Sequence, residues 1–441
     1  MYRNVTRDRC SIERVRADRP RHVSRVRCLV AVMAALVCAA ALLVAPAPVG
    51  AAGLVPPPDA DSFYSVPAHI ANLPNGTVLA SRSVLATALS VPIPARAWQV
   101  KYKTIDQVGH PSAFVTTLLV PNTPWRGTGA RPLISYQVAV DALSTKCAPS
   151  YVMRAGLTAA LTSGPTVLSS NAADETANIT QAVLRGFAVA VPDWEGPRAD
   201  WIGDSGDARG VLDGIRAVRN FARDGVTAQS PISLVGYSGG ALATDWAIQM
   251  QPKYAPELHF IATALGGTPA NIADAIAAFK ANLGARAAIP LLLAALQRSY
   301  PKWHLDQYLS DAGRVAVANS QHDCLLDSLI RNAGVDPAIW EKSPGSLFDN
   351  PVLSNSIADI SPVRYPGTPH TPILFYHAAN DELAPIADMR QLARRDCREH
   401  RVVHIVTSPI GEHITYVLLG FPVALNYLAQ RFAGKPPPND C

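Results

Sequence analysis

PISLVGYSGGALATDWAIQM (231–250) is the stretch on which the fold turns. Its first part, PISLVGY (231–237), is a short apolar run of strand character, and GALATDWAIQM (240–250) has the spacing of a buried helix. Between them, Gly236-Tyr237-Ser238-Gly239-Gly240 fits G-x-S-x-G. The pattern is weak alone but specific between a strand and a helix, where a sharp turn lifts the serine hydroxyl above the sheet. Glycines at 236, 239 and 240 leave the room such a turn needs. A phosphate loop is the competing reading, and no Gly-Lys-Ser/Thr follows to support it.

On either side, strand-like runs alternate with helical ones. The strands are expected at 98–105, 112–121, 131–140, 187–194, 259–267, 372–378 and 402–408, with helical stretches such as ARGVLDGIRAVRNFAR (208–223) between several of them. This alternation predicts an α/β fold, a mostly parallel central sheet with helices on both faces. The Pro-rich 54–77 reads as an extended arm over the surface. Residues 268–360 hold no convincing strand but several Ala/Leu-rich helical runs, including NIADAIAAFKANLG (271–284) and IPLLLAALQRSY (289–300). An inserted helical cap over the sheet's carboxyl edge is the expectation, against an ordinary run of packing helices.

The N-terminus is of another kind. Nine Arg and three acids precede the apolar run CLVAVMAALVCAAALLVA (28–45) and the small-residue exit PAPVGAAG (46–53). Residues 1–51 therefore read as a secretory signal, with the catalytic domain spanning 52–441 and the product secreted or held in the cell envelope. An uncleaved N-terminal anchor is the alternative. The whole chain carries 39 basic and 34 acidic residues, and without the nine and three of the signal these become 30 and 31. The remaining net charge of −1 leaves no argument for nucleic acid as a partner. Cys147, Cys324, Cys397 and Cys441 remain in the exported part, enough for two disulfides in one of three pairings. No CxxC or His-rich spacing suggests a metal.

A serine hydroxyl needs a base, and the base needs an orienting acid. In sheets with this turn the chain order is serine, acid, histidine. Asp381, in the loop AANDELAP after the strand PILFYHA, is the best-placed acid, with Glu382 beside it as the fallback. His413, in PIGEHI, follows VVHIVTS and precedes the expected amphipathic helix TYVLLGFPVALNYLAQRF (415–432). His404 and His377 lie inside strands and His370 precedes one, so they rank below it. The Gly239 amide is one donor for the oxyanion that develops during acyl transfer. No HGGG run follows RPLISYQVAV, and from the residues alone Asp141 reads as a helix cap.

SYQVAVDALSTKCAPSY (135–151), LDGIRAVRNF (212–221), GYSGG (236–240), YAPEL (254–258), GGTPA (266–270), HAANDELAP (377–385) and PIGEHI (409–414) follow one another in that order. Together they resemble the secretory lipase family, the lipase A-like enzymes of yeasts and actinobacteria, across roughly residues 55–441. The resemblance implies an α/β-hydrolase fold with Ser238, Asp381 and His413 as triad. It also implies that Asp141 is the second oxyanion donor through its side chain, which requires a protonated carboxyl. It further implies Cys147–Cys324 and Cys397–Cys441 pairs, and a helical cap that holds the acyl chain. Yeast members continue past the position of Cys441 into a flap, so a more open site for shorter or more soluble esters is expected here.

The expected activity is hydrolysis of carboxylic esters, acylglycerols among them, without metal or organic cofactor. The expected partners are a lipid or small ester and, transiently, a lipid interface, with no obligate protein partner. An acyltransferase using the same triad is the alternative, and a non-catalytic ligand-binding protein on this scaffold a third reading.

Overall fold

A computed structural model of the chain describes residues 54–164, 171–347 and 349–441. The expected signal, 1–51, lies outside the described residues. Among those residues nine strands form one sheet. They are β1 (Val78–Val84), β4 (Ala95–Ile105), β5 (Pro111–Pro121), β6 (Leu133–Gln137), β7 (Ala188–Pro192), β8 (Ile232–Tyr237), β9 (Phe260–Gly266), β10 (Ile373–Ala378) and β11 (Val403–Ser408). A separate two-stranded ladder joins β2 (Thr87–Ala88) to β3 (Val91–Pro92).

The strand order is β1-β4-β5-β7-β6-β8-β9-β10-β11. Pairing is antiparallel from β1 through β7 and parallel from β7 to β11. Every residue of β6, β7, β8 and β10 is buried, as strands covered on both faces require. Tyr136 and Gln137, consecutive in β6, point to opposite faces. Tyr136 packs against Phe421 of the helix Phe421–Phe432, whereas Gln137 bonds Thr244 of the helix Gly239–Tyr254. Helices therefore cover both faces, and this is an α/β-hydrolase sheet.

The chain leaves β6 toward β7 on one side and returns as β8 on the other, so the loops after β6 and β8 diverge. Crevices in open α/β sheets form at such a reversal, above the carboxyl ends of the strands. Asp141 follows β6 and Ser238 follows β8.

Several boundaries depart from the sequence reading. The strand expected through Val140 ends at Gln137, and the Ala139 amide donates instead to the carboxylate of Glu175, at 2.8 Å. The single helix expected over 415–432 is two, His413–Leu419 and Phe421–Phe432, broken at Gly420 with Pro422 in the first turn of the second. Proline has no N–H to continue the earlier ladder and suits a helix start. The edge strand β1 was not expected, because its half-exposed, polar sequence VLASRSV carries no apolar run. The arm before it is tied down by Asp61, which pairs with Arg82 and Arg154 at 2.8 and 2.9 Å.

Between β9 and β10 the described residues contribute the helices Ile272–Ala281, Ile289–Ser299, Asp311–Asn319, Leu325–Arg331 and Pro351–Ile360, and no strand of the sheet. This insertion grips the loops after β6 and β7. Arg298 donates to the carbonyls of Leu143, Arg198 and Ala199 at 3.0, 2.7 and 3.1 Å, and Ser299 Oγ to that of Trp201 at 3.1 Å. A disulfide joins Cys147 to Cys324, and a second joins Cys397 to Cys441. Both are the pairs that the family resemblance implies.

Candidate active site

Ser238 stands at the N-cap of the helix Gly239–Tyr254 with φ 50° and ψ −122°. Positive φ strains a residue with a side chain, and strain of this kind gathers at functional sites. The neighbours show why the turn is built of glycine. A Cβ on Gly236 would collide with the Gly240 carbonyl, and one on Gly240 with the Gln137 carbonyl. The Ser238 amide donates to the Gly266 carbonyl at 2.9 Å, which ties the turn to the end of β9.

The three residues ranked first in the sequence meet here. Ser238 Oγ lies 2.7 Å from His413 Nε2, and His413 Nδ1 lies 2.9 Å from both carboxyl oxygens of Asp381. Burial alone would push the Asp381 carboxyl up, but hydrogen bonds from His377 and His413 hold it well below the ordinary range. An ionised Asp381 accepts only, so Nδ1 of His413 carries the proton and Nε2 is free to accept from the serine. The Leu383 and Ala384 amides also donate to Asp381 Oδ1, at 3.1 and 2.7 Å.

His413 is 4% exposed and opens the helix His413–Leu419 rather than preceding it. Two residues fix its backbone. Tyr237 Oη donates to the His413 carbonyl at 2.7 Å, and the His413 amide donates to Glu382 at 3.1 Å. Glu382, the fallback acid, thus holds the base in place without reaching its ring nitrogens. Among the lower-ranked histidines, His404 bonds Asp440 at 2.9 Å and His370 is exposed.

Asp141 is no helix cap: the next turn, Thr145–Cys147, has Ser144 at its N-cap. It is 8% exposed, takes φ 48°, and its Oδ1 fills the space where a Cβ on Gly239 would stand. The side chain therefore packs against the Gly239 backbone at the start of the serine's helix. That helix start also concentrates unpaired amide donors and positive dipole. Two buried acids hold the Asp141 loop from either end. Glu175 accepts from the Ala139 amide and from Tyr136 Oη, and Glu195 accepts from the Ala142 amide. Burial drives Glu175 up to about 8 and Glu195 well above its ordinary value.

Comparison with known proteins places the chain in a family. Residues 163–440 match the family model described as secretory lipase. The chain is 35% identical over 384 residues to a protein of Mycobacterium tuberculosis named probable inactive lipase MT1628, covering 86% of this chain and 83% of that one. It is 32% identical over 404 residues to lipase 10 of Candida albicans, covering 87% and 83%. Among solved structures it resembles Candida antarctica lipase A, with a TM-score of 0.78 and 26% identity over 88% of this chain and 89% of that one. By its sequence, its sheet and the turn that carries Ser238, the chain belongs to the secretory lipase family.

Proposed function

We propose that this protein is an exported serine hydrolase that cleaves carboxylic esters, acylglycerols among them, through an acyl-enzyme. The observation that carries the reading is the unbroken hydrogen-bonded line from Ser238 Oγ through His413 to Asp381. Ser238 attacks the ester carbonyl as His413 Nε2 takes its proton, and Asp381 stabilises the resulting imidazolium. The Gly239 amide and a protonated Asp141 donate to the oxyanion. His413 then protonates the leaving alcohol, and a water activated by the same nitrogen releases the acid.

Export is supported by two disulfides in the described part and by the Arg-rich, then apolar, N-terminal sequence. The helical insertion, whose Arg298 and Ser299 bond the loops after β6 and β7, is the part of the chain assigned here to the acyl group.

One observation favours a second, non-catalytic reading: a relative 35% identical to this chain bears the name of a probable inactive lipase. Hydrolysis of an ester series from acetate to long-chain triglyceride, by wild type and Ser238→Ala, decides between them. Turnover by wild type and its loss in the variant support the hydrolase, and a wild type inert to the whole series supports binding alone. Added alcohol in the same assay reveals any acyl transfer as a new ester product.

A further inference from the structure

His377 is the next-to-last residue of β10 and is completely buried. As a strand histidine it looks like core. Its ring nevertheless reaches the acid of the site: Nε2 lies 2.8 Å from the Ala384 carbonyl and 3.2 Å from Asp381 Oδ2. Both neighbours of Nε2 are acceptors, so this nitrogen carries the proton. Nδ1 has no hydrogen-bond partner among the described residues. A buried, unpartnered acceptor costs free energy, and an apolar side chain of similar volume would avoid that cost. The polar ring is accounted for only by what its single N–H does.

That N–H closes a small cage. The loop between Ala378 and Pro385 folds back so that Leu383 and Ala384 donate their amides to Asp381 Oδ1, and His377 bridges the loop's far end to Oδ2. The carboxylate is held by three donors besides His413, and each restricts its rotation. His377 also takes a share of the negative charge that would otherwise act on His413 alone.

We propose that His377 is a positioning residue for the reaction, fixing the Asp381 carboxylate toward His413 and tempering its basicity through one forked N–H donor. The proposal rests on the reading of Ser238, His413 and Asp381 as the reacting set. Its role is distinct from that of Tyr237 and Glu382, which hold the backbone of His413 and not the acid.

Three variants of the full chain test it. His377→Gln keeps an N–H at about the reach of Nε2, His377→Asn carries the same amide one methylene short, and His377→Leu removes the donor. With Leu or Asn, kcat falls roughly 10- to 100-fold at nearly constant KM, the scale expected from a misplaced reacting group. The acid limb of the kcat/KM profile moves to higher pH, because an unshared carboxylate stabilises the imidazolium more strongly. With Gln, both quantities stay within about threefold of wild type, well short of the penalty for displacement. Equal losses in Gln and Asn, or a Leu or Asn variant whose pH profile superimposes on wild type, overturn the proposal. If Leu fails to fold, the Gln–Asn pair still decides. Failure of wild type to hydrolyse any ester would instead overturn the functional reading beneath it.

Discussion

The Oδ1 atom of Asp141 occupies the space in which a side chain on Gly239 would begin. One residue follows β6 and the other opens the helix after Ser238, so the close fit joins a loop to a helix start from a distant part of the chain. A Gly239→Ala methyl can be placed only by displacing the Asp141 carboxyl, which has Trp201 close by: Nε1 of that indole lies 3.5 Å from the same point. Gly239→Ala is therefore expected to lower kcat by on the order of 100-fold, the scale of a lost oxyanion donor, while circular dichroism stays native. Steady-state kinetics at wild-type rate in this variant would contradict the arrangement.

Asp141 itself separates the donor role from a purely structural one. Asparagine at 141 is nearly isosteric and donates without needing a proton, whereas alanine cannot donate. Asp141→Ala is expected to lose about 100- to 1,000-fold in kcat, and Asp141→Asn much less, with little change in KM for either. Equal losses in the two would remove Asp141 from the oxyanion site.

Burial sets the pH dependence of stability. It raises the carboxyls of Glu175 to about 8, Asp193 to about 7 and Asp245 to about 7. A carboxyl whose folded pKa lies above its unfolded one binds more protons in the folded state, so stability falls as pH climbs between the two values. Asp381 acts in the opposite sense, but its contribution is complete above the unfolded carboxylate range and is lost only in stronger acid. Thermal denaturation should therefore give a higher Tm at pH 5 than at pH 8.5. Glu175→Gln, which cannot ionise, should narrow that gap. A Tm that rises over this interval, or a gap unaltered by Glu175→Gln, would contradict the assignment.

The two disulfides should differ in their effect on activity. Cys147–Cys324 spans 177 residues and joins the Asp141 loop to the helical insertion, whereas Cys397–Cys441 ties the last residue to a helix beside β11. Replacing both cysteines of the first pair by serine should cost about 2–5 kcal/mol in denaturant unfolding and also lower kcat. Replacing both of the second should cost stability with kcat largely kept. The reverse pattern in kcat would show that the insertion does not steady the Asp141 loop.

Much of the site was legible because its chemistry is local. Ser238, Asp381 and His413 each follow a strand, and a strand followed by a short polar loop leaves a clear trace in sequence. Asp141 was not legible from its own surroundings, where it resembles a helix cap, and only the family resemblance pointed to it. The contacts made by Tyr237, named from sequence only as part of the turn, and by His377, ranked there only as a lesser base, escaped for another reason. Their roles depend on where Tyr237 Oη and His377 Nε2 reach across elements, and an apolar strand pattern hides that reach. The one hint at His377 is its place four residues before Asp381 in HAANDELAP. Strand β1 was missed because an edge strand with one neighbour can be polar and half exposed, and so lacks the apolar run that marked the central strands.

The nucleophile claim has the most direct test. The full chain is treated with a fluorophosphonate probe, digested, and the adduct located by mass spectrometry, alongside Ser238→Ala and His413→Ala. One adduct is expected, on Ser238, abolished by Ser238→Ala and slowed by orders of magnitude in His413→Ala. An adduct on another residue, or no adduct on a folded wild-type protein, would contradict the nucleophile claim.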